Sequence, residues 1–349
     1  MRRKAEFRQG CDDFVETVTP TRFTRRTLLR ATVFGQHDAA HQSLWDPRRA
    51  DRSVVIGHVA DVSPHLIAVQ TAHGEERLAM TPATVAWRGG LVPPATLRRG
   101  DAVIIRKNRM RQTAERVWAQ ISRATGTIIE ADGSVLLVDE GPAKGRRIVL
   151  IDDGSHRQIQ VRFPRLQPGY LVDVIGLRQQ GYLLALTPAT AQPPYRADHP
   201  PAPPLISGHV PGTVGGTAVW HDPGEEPSGL VGLAYPALDP ETNCEQDHRP
   251  PDKHAVDPHT VGPGCVRLPY LSVGSAVHAR NECGDRSAML PVTSCGAVSR
   301  LFCDRCVECG TSPRGRIADL TMTAFVELGG NLERGCFNAS LTFSGAAAG

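Results

Sequence analysis

Aromatic side chains are scarce in this sequence: Phe, Trp and Tyr make up 5% of 349 residues. That weighs against a protein built around many stacking platforms, as single-strand nucleic-acid binders are. Excess charge is scarce too. Lys and Arg number 39 against 36 Asp and Glu, a net of +3, which is too small a field to imply a nucleic-acid partner. No apolar run approaches the ~20 residues of a membrane-spanning helix. Cysteine is almost missing from the first two thirds, where only Cys11 precedes Cys244. A sulfur-braced fold is therefore excluded from the middle of the chain. No cofactor is expected.

Glycine and proline are plentiful, at 34 and 28 residues, which suits short strands joined by turns. An internal repeat organises the middle of the chain. Gly57-His58-Val59 recurs as Gly126-Thr127-Ile128, and Leu66-Ile67-Ala68-Val69 as Val135-Leu136-Leu137-Val138. Leu97–Val103 recurs as Leu166–Val172 at the same offset of 69. Constant spacing at three places indicates duplication of one unit. Each unit opens with a strand (Val54–Val62, then from Ile121), a turn and a second apolar run, the grammar of a hairpin. Units of about 70 residues with about five short strands fit small closed barrels.

This divides the chain into a basic arm (1–50), a first barrel (51–120), a second (121–191), a Pro/Gly-rich linker (192–216) and a cysteine-rich domain (217–345). The arm is expected to carry one short helix near Phe23–Phe34. Its Thr24-Arg25-Arg26-Thr27-Leu28-Leu29 looks like a twin-arginine export motif, but Gln36-His37-Asp38 soon cuts off the apolar stretch such a signal needs. Arg106, Lys107, Arg109 and Arg111 form a basic cluster, read either as an anionic-polymer contact or as a solvated connection. Trp87 and Trp118 are candidates for stacking on a ligand, but a lone Trp in a small barrel is more often a core residue.

Eight cysteines crowd the last third: Cys244, Cys265, Cys283, Cys295, Cys303, Cys306, Cys309 and Cys336. An even set in a small loop-rich domain reads as a disulfide framework. It implies an oxidising compartment, and hence a secreted or surface-associated protein. The alternative is zinc: Cys303, Cys306 and Cys309 have ligand-like spacing, and Cys283 or Cys295 could complete the set.

The run Cys303-Asp304-Arg305-Cys306, then Gly315-Arg316-Ile317-Ala318-Asp319-Leu320-Thr321, resembles the closing half of rare lipoprotein A domains. There Asn-Asp-Arg-Gly precedes an Asp-Leu-Ser helix. The cysteine-rich variant is similar to barwin and expansin relatives. Gly216-Thr217-Ala218-Val219-Trp220 resembles that fold's first strand. Leu268-Pro269 with Gly274–Asn281 resembles a later one. The resemblance covers about 130 residues and implies a cysteine-rich double-psi β-barrel; the two repeated units, in strand and turn order, resemble small OB-like barrels, so the chain is expected to be mostly β, two tandem OB-like barrels followed by the double-psi one.

The same resemblance implies work on cell-wall polysaccharide, peptidoglycan above all. A lytic transglycosylase can use one carboxyl, which protonates the leaving oxygen and then deprotonates the sugar's own hydroxyl. Such an acid must hold its proton near neutral pH. Asp304 takes the position of the family's catalytic Asp, and Asp319 that of the Asp-Leu-Ser aspartate in the same groove. Trp220 and Tyr235 are candidate sugar platforms. Arg305 and His259 are candidate substrate contacts, His259 (or His254) standing in for a family histidine missing near Cys265. Two alternatives stand beside this one. The first is a non-catalytic, expansin-like wall-binding or structural surface protein. The second is an intracellular OB-type nucleic-acid binder with a cysteine-bound zinc.

Overall fold

A computed structural model describes residues 53–108, 110–141, 144–199, 212–224, 229–238, 265–310 and 313–343. The basic arm, with its twin arginines and expected helix, lies outside the described residues.

The first repeat folds into β1 (Val54–Val62), β2 (Leu66–Thr71), β3 (Gly74–Trp87), a two-residue β4 (Leu91–Val92), β5 (Ala102–Asn108) and β6 (Thr113–Ala119). β1 pairs with β2 and β5, β2 with β3, and β5 with β6, all antiparallel. A parallel pairing of β3 with β6 closes the ring. Alternate residues point inward, so Val55, Val59, Ile67, Val69, Leu78, Val103, Ile105 and Val117 fill a dry centre.

The second repeat gives β7 (Ile121–Asp132), β8 (Val135–Asp139), β9 (Arg146–Ile151), α1 (His156–Arg162), β10 (Leu171–Gln179) and β11 (Tyr182–Pro188). Its closed ring runs β7-β8-β9-β11-β10, again with one parallel pair, β9 with β11. Both rings therefore follow the OB-type order one-two-three-five-four. The duplication is visible in the strands: β2 and β8, β5 and β10, and β6 and β11 begin 69 residues apart, at 66 and 135, 102 and 171, 113 and 182. The repeated glycine has a steric cause. A Cβ on Gly57 would stand 2.1 Å from the Gln70 carbonyl oxygen, and one on Gly126 1.9 Å from that of Asp139. In each unit the first strand passes the second too closely for any side chain.

The third barrel comprises β12 (Thr213–Trp220), β13 (Leu233–Tyr235), β14 (Ala276–Asn281), β15 (Ser287–Cys295), β16 (Arg316–Leu320), α2 (Met322–Glu327) and β17 (Cys336–Phe343). The closed order is β12-β16-β13-β15-β14-β17. β12–β16 and β13–β15 are parallel, and the other pairs antiparallel. Exchanging β12 with β15, β13 with β16 and β14 with β17 returns the same ring with the same pair types. That is the two-fold strand order of a double-psi barrel.

Sulfur stitches one loop of this barrel at three points. Cys303 joins Cys265, Cys306 joins Cys336 and Cys309 joins Cys283, with Cα–Cα distances of 5.3, 5.7 and 5.4 Å, in the ordinary disulfide range. Cys295 is disulfide-bonded as well, and Cys244 lies outside the described residues. The zinc alternative is thereby corrected: Cys303, Cys306 and Cys309 are committed to three separate partners, leaving no thiolate for a metal.

The short helix expected over Thr321–Leu328 is present, but the Gly-Arg-Ile-Ala-Asp-Leu run that leads into it is a strand, because Arg316–Leu320 is gripped between β12 and β13. The helix begins after Thr321, whose side-chain oxygen accepts from the Ala324 N–H as a cap. The proline-rich linker does not hold the barrels apart over its described part. Tyr195 donates its hydroxyl to the Leu301 carbonyl and accepts from the Cys303 N–H. A small apolar core of Phe163, Leu171, Ala197, Leu301 and Phe302 joins the second barrel to the third.

Candidate functional site

The resemblance directs attention to the carboxylates of the third barrel. Asp304 sits in the stitched loop just after Cys303, and Arg316 opens β16. The side chain of Asp304 is 0% exposed. Its Oδ2 accepts from Nε of Arg316 at 3.1 Å and from Nη2 of the same residue. The partner is Arg316, not the neighbouring Arg305. Nη2 of Arg316 also reaches Asp173 of β10 at 2.6 Å. Arg123 of β7 then grips Asp173 with Nε and Nη2 at 2.7 and 2.6 Å. Its remaining nitrogen, Nη1, donates to the carbonyls of Trp220 and Gly335, each at 2.8 Å. Two arginines and two aspartates thus form a closed, charge-balanced cluster spanning two barrels. Each charge is neutralised by its neighbours, which is how such groups are tolerated away from water.

A general acid must reach the oxygen it protonates. Asp304 faces a guanidinium inside a protein seam and does not open to a cleft. In this structure the Asp304 carboxylate, expected as the acid/base, is a tie between barrels.

Asp319, on β16, is 17% exposed and lies 3.5 Å from Nδ1 of His221. Burial works to raise its pKa, but the hydrogen bond and charge of His221, with Lys144 and Arg316 nearby, outweigh it. The net effect holds this carboxyl well below the usual range. An aspartate kept ionised in this way is a poor proton donor at neutral pH. Lys144 belongs to the β8–β9 turn of the second barrel, so Asp319 also looks toward that barrel.

The residues expected as sugar platforms lie inside the third barrel. Trp220 and Tyr235 are fully buried. The Trp220 indole donates to the Leu332 carbonyl and the Tyr235 hydroxyl to the Pro269 carbonyl, both at 3.0 Å. Each is a core residue with its polar end satisfied. Arg305 is half-buried, and its backbone exchanges hydrogen bonds of 3.1 and 3.2 Å with Ala191. It anchors the stitched loop to the segment leaving β11. His259 and His254 lie outside the described residues.

Sequence reasoning missed a second tie. Asp222, just after β12, is buried and accepts from Arg147 at 3.0 Å and Arg178 at 2.6 Å, and also from Ser122. Arg147 bonds Glu140 at 2.7 Å. The first barrel has its own tie: Glu333 accepts from Arg116 and from the Trp118 indole. Nor is the basic cluster a free stripe. Lys107 is buried against Glu76, and Arg106 lies 3.6 Å from Glu115 and over the Trp118 ring. Arg109 is outside the described residues. Trp87 and Trp118 are core residues, as expected.

Among the described residues no group of three or more His, Cys, Asp or Glu side chains is arranged to hold a metal. No helix among them is long and apolar enough to cross a membrane. No protein-family model matches the chain, and no curated protein matches it in sequence. Fold and site define it by class: a three-barrel β-protein, two OB-type units and one disulfide-stitched double-psi unit, joined by buried ion pairs.

Proposed function

We propose that this chain is a non-catalytic, expansin-like surface protein of an oxidising compartment, which holds cell-wall polysaccharide without cutting it. The observation that carries this reading is the sealed Arg316–Asp304–Asp173–Arg123 cluster. It occupies the carboxylate that a rare lipoprotein A-type transglycosylase would need free. The strand order and the Cys303–Thr321 motif support kinship with the double-psi wall proteins. The disulfides support a location outside the reducing cytosol. Welding of the barrels supports a rigid structural role over one that needs a cleft to open and close.

The test uses the disulfide-intact protein on purified peptidoglycan sacculi. Sedimentation measures retention, and mass spectrometry of the supernatant measures products. Retention without anhydro-ended muropeptides is the expected result, for the wild type and for Asp304→Asn. Release of such products by the wild type, lost in a folded Asp304→Asn variant, would overturn the reading.

A further inference from the structure

The second barrel carries a surface that none of its ties explains. On β8, β9 and β11 most of the outward residues that alternate with the core are apolar too, the exceptions being Asp139 and Arg146, which pair across β8 and β9. Register sets them in two adjacent rows. Leu137 pairs with Ile148 and Ile148 with Tyr182, while Val135 pairs with Leu150 and Leu150 with Leu184. Val135, Ile148 and Tyr182 leave 43%, 48% and 38% of their surface exposed. The solvent side of an antiparallel face ordinarily carries polar residues at these positions, and contiguous apolar exposure of this kind marks an interaction site.

Size and charge narrow the occupant. Two gaps between strands at ~4.8 Å, and rows ~7 Å apart, give a strip about 10 by 7 Å before side-chain margins. That is far below the ~800 Å² per partner of a stable protein interface. At the β7 end the rows meet Glu130 and Asp132, and beyond Leu137 and Ile148 stands the pair Asp139 and Arg146; three carboxylates against one guanidinium leave a net acidic margin, where an anionic polymer would meet like charge. Uncharged sugar rings fit both limits. Their C–H faces suit a flat aliphatic floor with one aromatic ring, and their hydroxyls can donate to carboxylates at its margin.

We propose that the β8–β9–β11 face of the second barrel is a carbohydrate-binding face for an uncharged stretch of wall polysaccharide. This rests on the reading that the protein holds glycan, and it moves the contact from the double-psi carboxylates to the second barrel.

The full-length, disulfide-intact protein is tested for retention on sacculi and for binding to a neutral β-1,4-linked N-acetylglucosamine oligosaccharide. Tyr182→Ala and Ile148→Asp should each weaken binding at least tenfold without shifting the thermal midpoint. Tyr182→Trp should retain it, and so should Asp304→Asn. Wild-type binding in Tyr182→Ala overturns the proposal, as does absence of wild-type binding to either probe. So does a result in which Ile148→Asp converts a dimer to a monomer while retention is unchanged, which would make the face a self-association surface. Release of cut products by the wild type would instead count against the non-catalytic reading, whatever Tyr182→Ala does.

Discussion

One nitrogen of Arg316, Nη2, binds Asp304 of its own barrel and Asp173 of the neighbouring one, the latter at 2.6 Å. Its pKa is raised: burial works to lower it, but the charges of Asp304 and Asp173 prevail. Removing this cation takes from Asp304 the guanidinium that binds it and leaves Asp173 with Arg123 alone. Arg316→Met should therefore cost about 3–5 kcal/mol of stability in chemical denaturation. Restoring neutrality with Arg316→Met/Asp304→Leu should recover part of the loss, giving a coupling that single substitutions do not show. Additive losses would mean that the pair is not coupled.

Stability should fall steeply in acid. Asp173 and Asp222 are held below the usual carboxylate range: burial opposes ionisation in both, and their arginines overcome it. Such groups contribute stability above their unfolded pKa, about 3.9, and lose it as pH falls through the lower folded value. Unfolding should thus set in below about pH 4. Glu140 runs the other way, its pKa raised chiefly by burial. Its contribution is complete below the unfolded value and declines as pH rises through the folded one. Glu140→Gln should therefore lose less stability than the wild type as pH rises above the unfolded value of about 4.3. Denaturant midpoints measured from about pH 2 upward through neutrality check both signs.

At the alkaline end, burial pushes the Tyr195 hydroxyl up to about 12. Its stabilising effect is present below the unfolded value near 10 and is lost as pH rises toward the folded one. Phenolate absorbance should show Tyr195 ionising only with alkaline unfolding. Tyr195→Phe, which strips a donor and an acceptor from the seam, should cost about 1–3 kcal/mol.

The framework of the fold was legible in the sequence for reasons of local physics. Strand alternation and turn residues mark β1 and β7, and the close approach at Gly57 and Gly126 repeats because the barrel repeats. The even cysteine count pointed to disulfides. The role of Asp304 was not legible, because it depends on a residue of another barrel. Asp173 lies 143 residues from Arg316, and nothing local links them. A trace existed all the same: Asp173 interrupts the apolar run Leu171–Ile175, and Arg123 interrupts the start of β7, where a charge demands a buried partner. The burial of Trp220 and Tyr235 was not legible either, because an aromatic at a strand end lines a cleft only while that cleft stays open.

The three located disulfides should not contribute equally. Cys306–Cys336 and Cys283–Cys309 close loops of similar length, with separations of 30 and 26 residues, so chain entropy alone gives each about 3–4 kcal/mol. Cys306 and Cys336 also pack with Val219 in the core, whereas Cys283 and Cys309 are exposed. Replacing the buried pair with alanine should therefore cost more than replacing the exposed pair. All seven described cysteines are disulfide-bonded and Cys295 requires an eighth as its partner, so no more than one of the nine thiols should react in the unfolded, unreduced protein.

Carboxyl labelling of the native protein bears most directly on the claim that the double-psi carboxylates are sealed. Treatment with a carbodiimide and an amine, followed by digestion and mass spectrometry, reports each aspartate separately. Asp285, 82% exposed, should be modified readily, while Asp304 and Asp173 remain untouched until the protein is unfolded. Modification of Asp304 at a rate comparable to Asp285 in the folded protein would contradict the account.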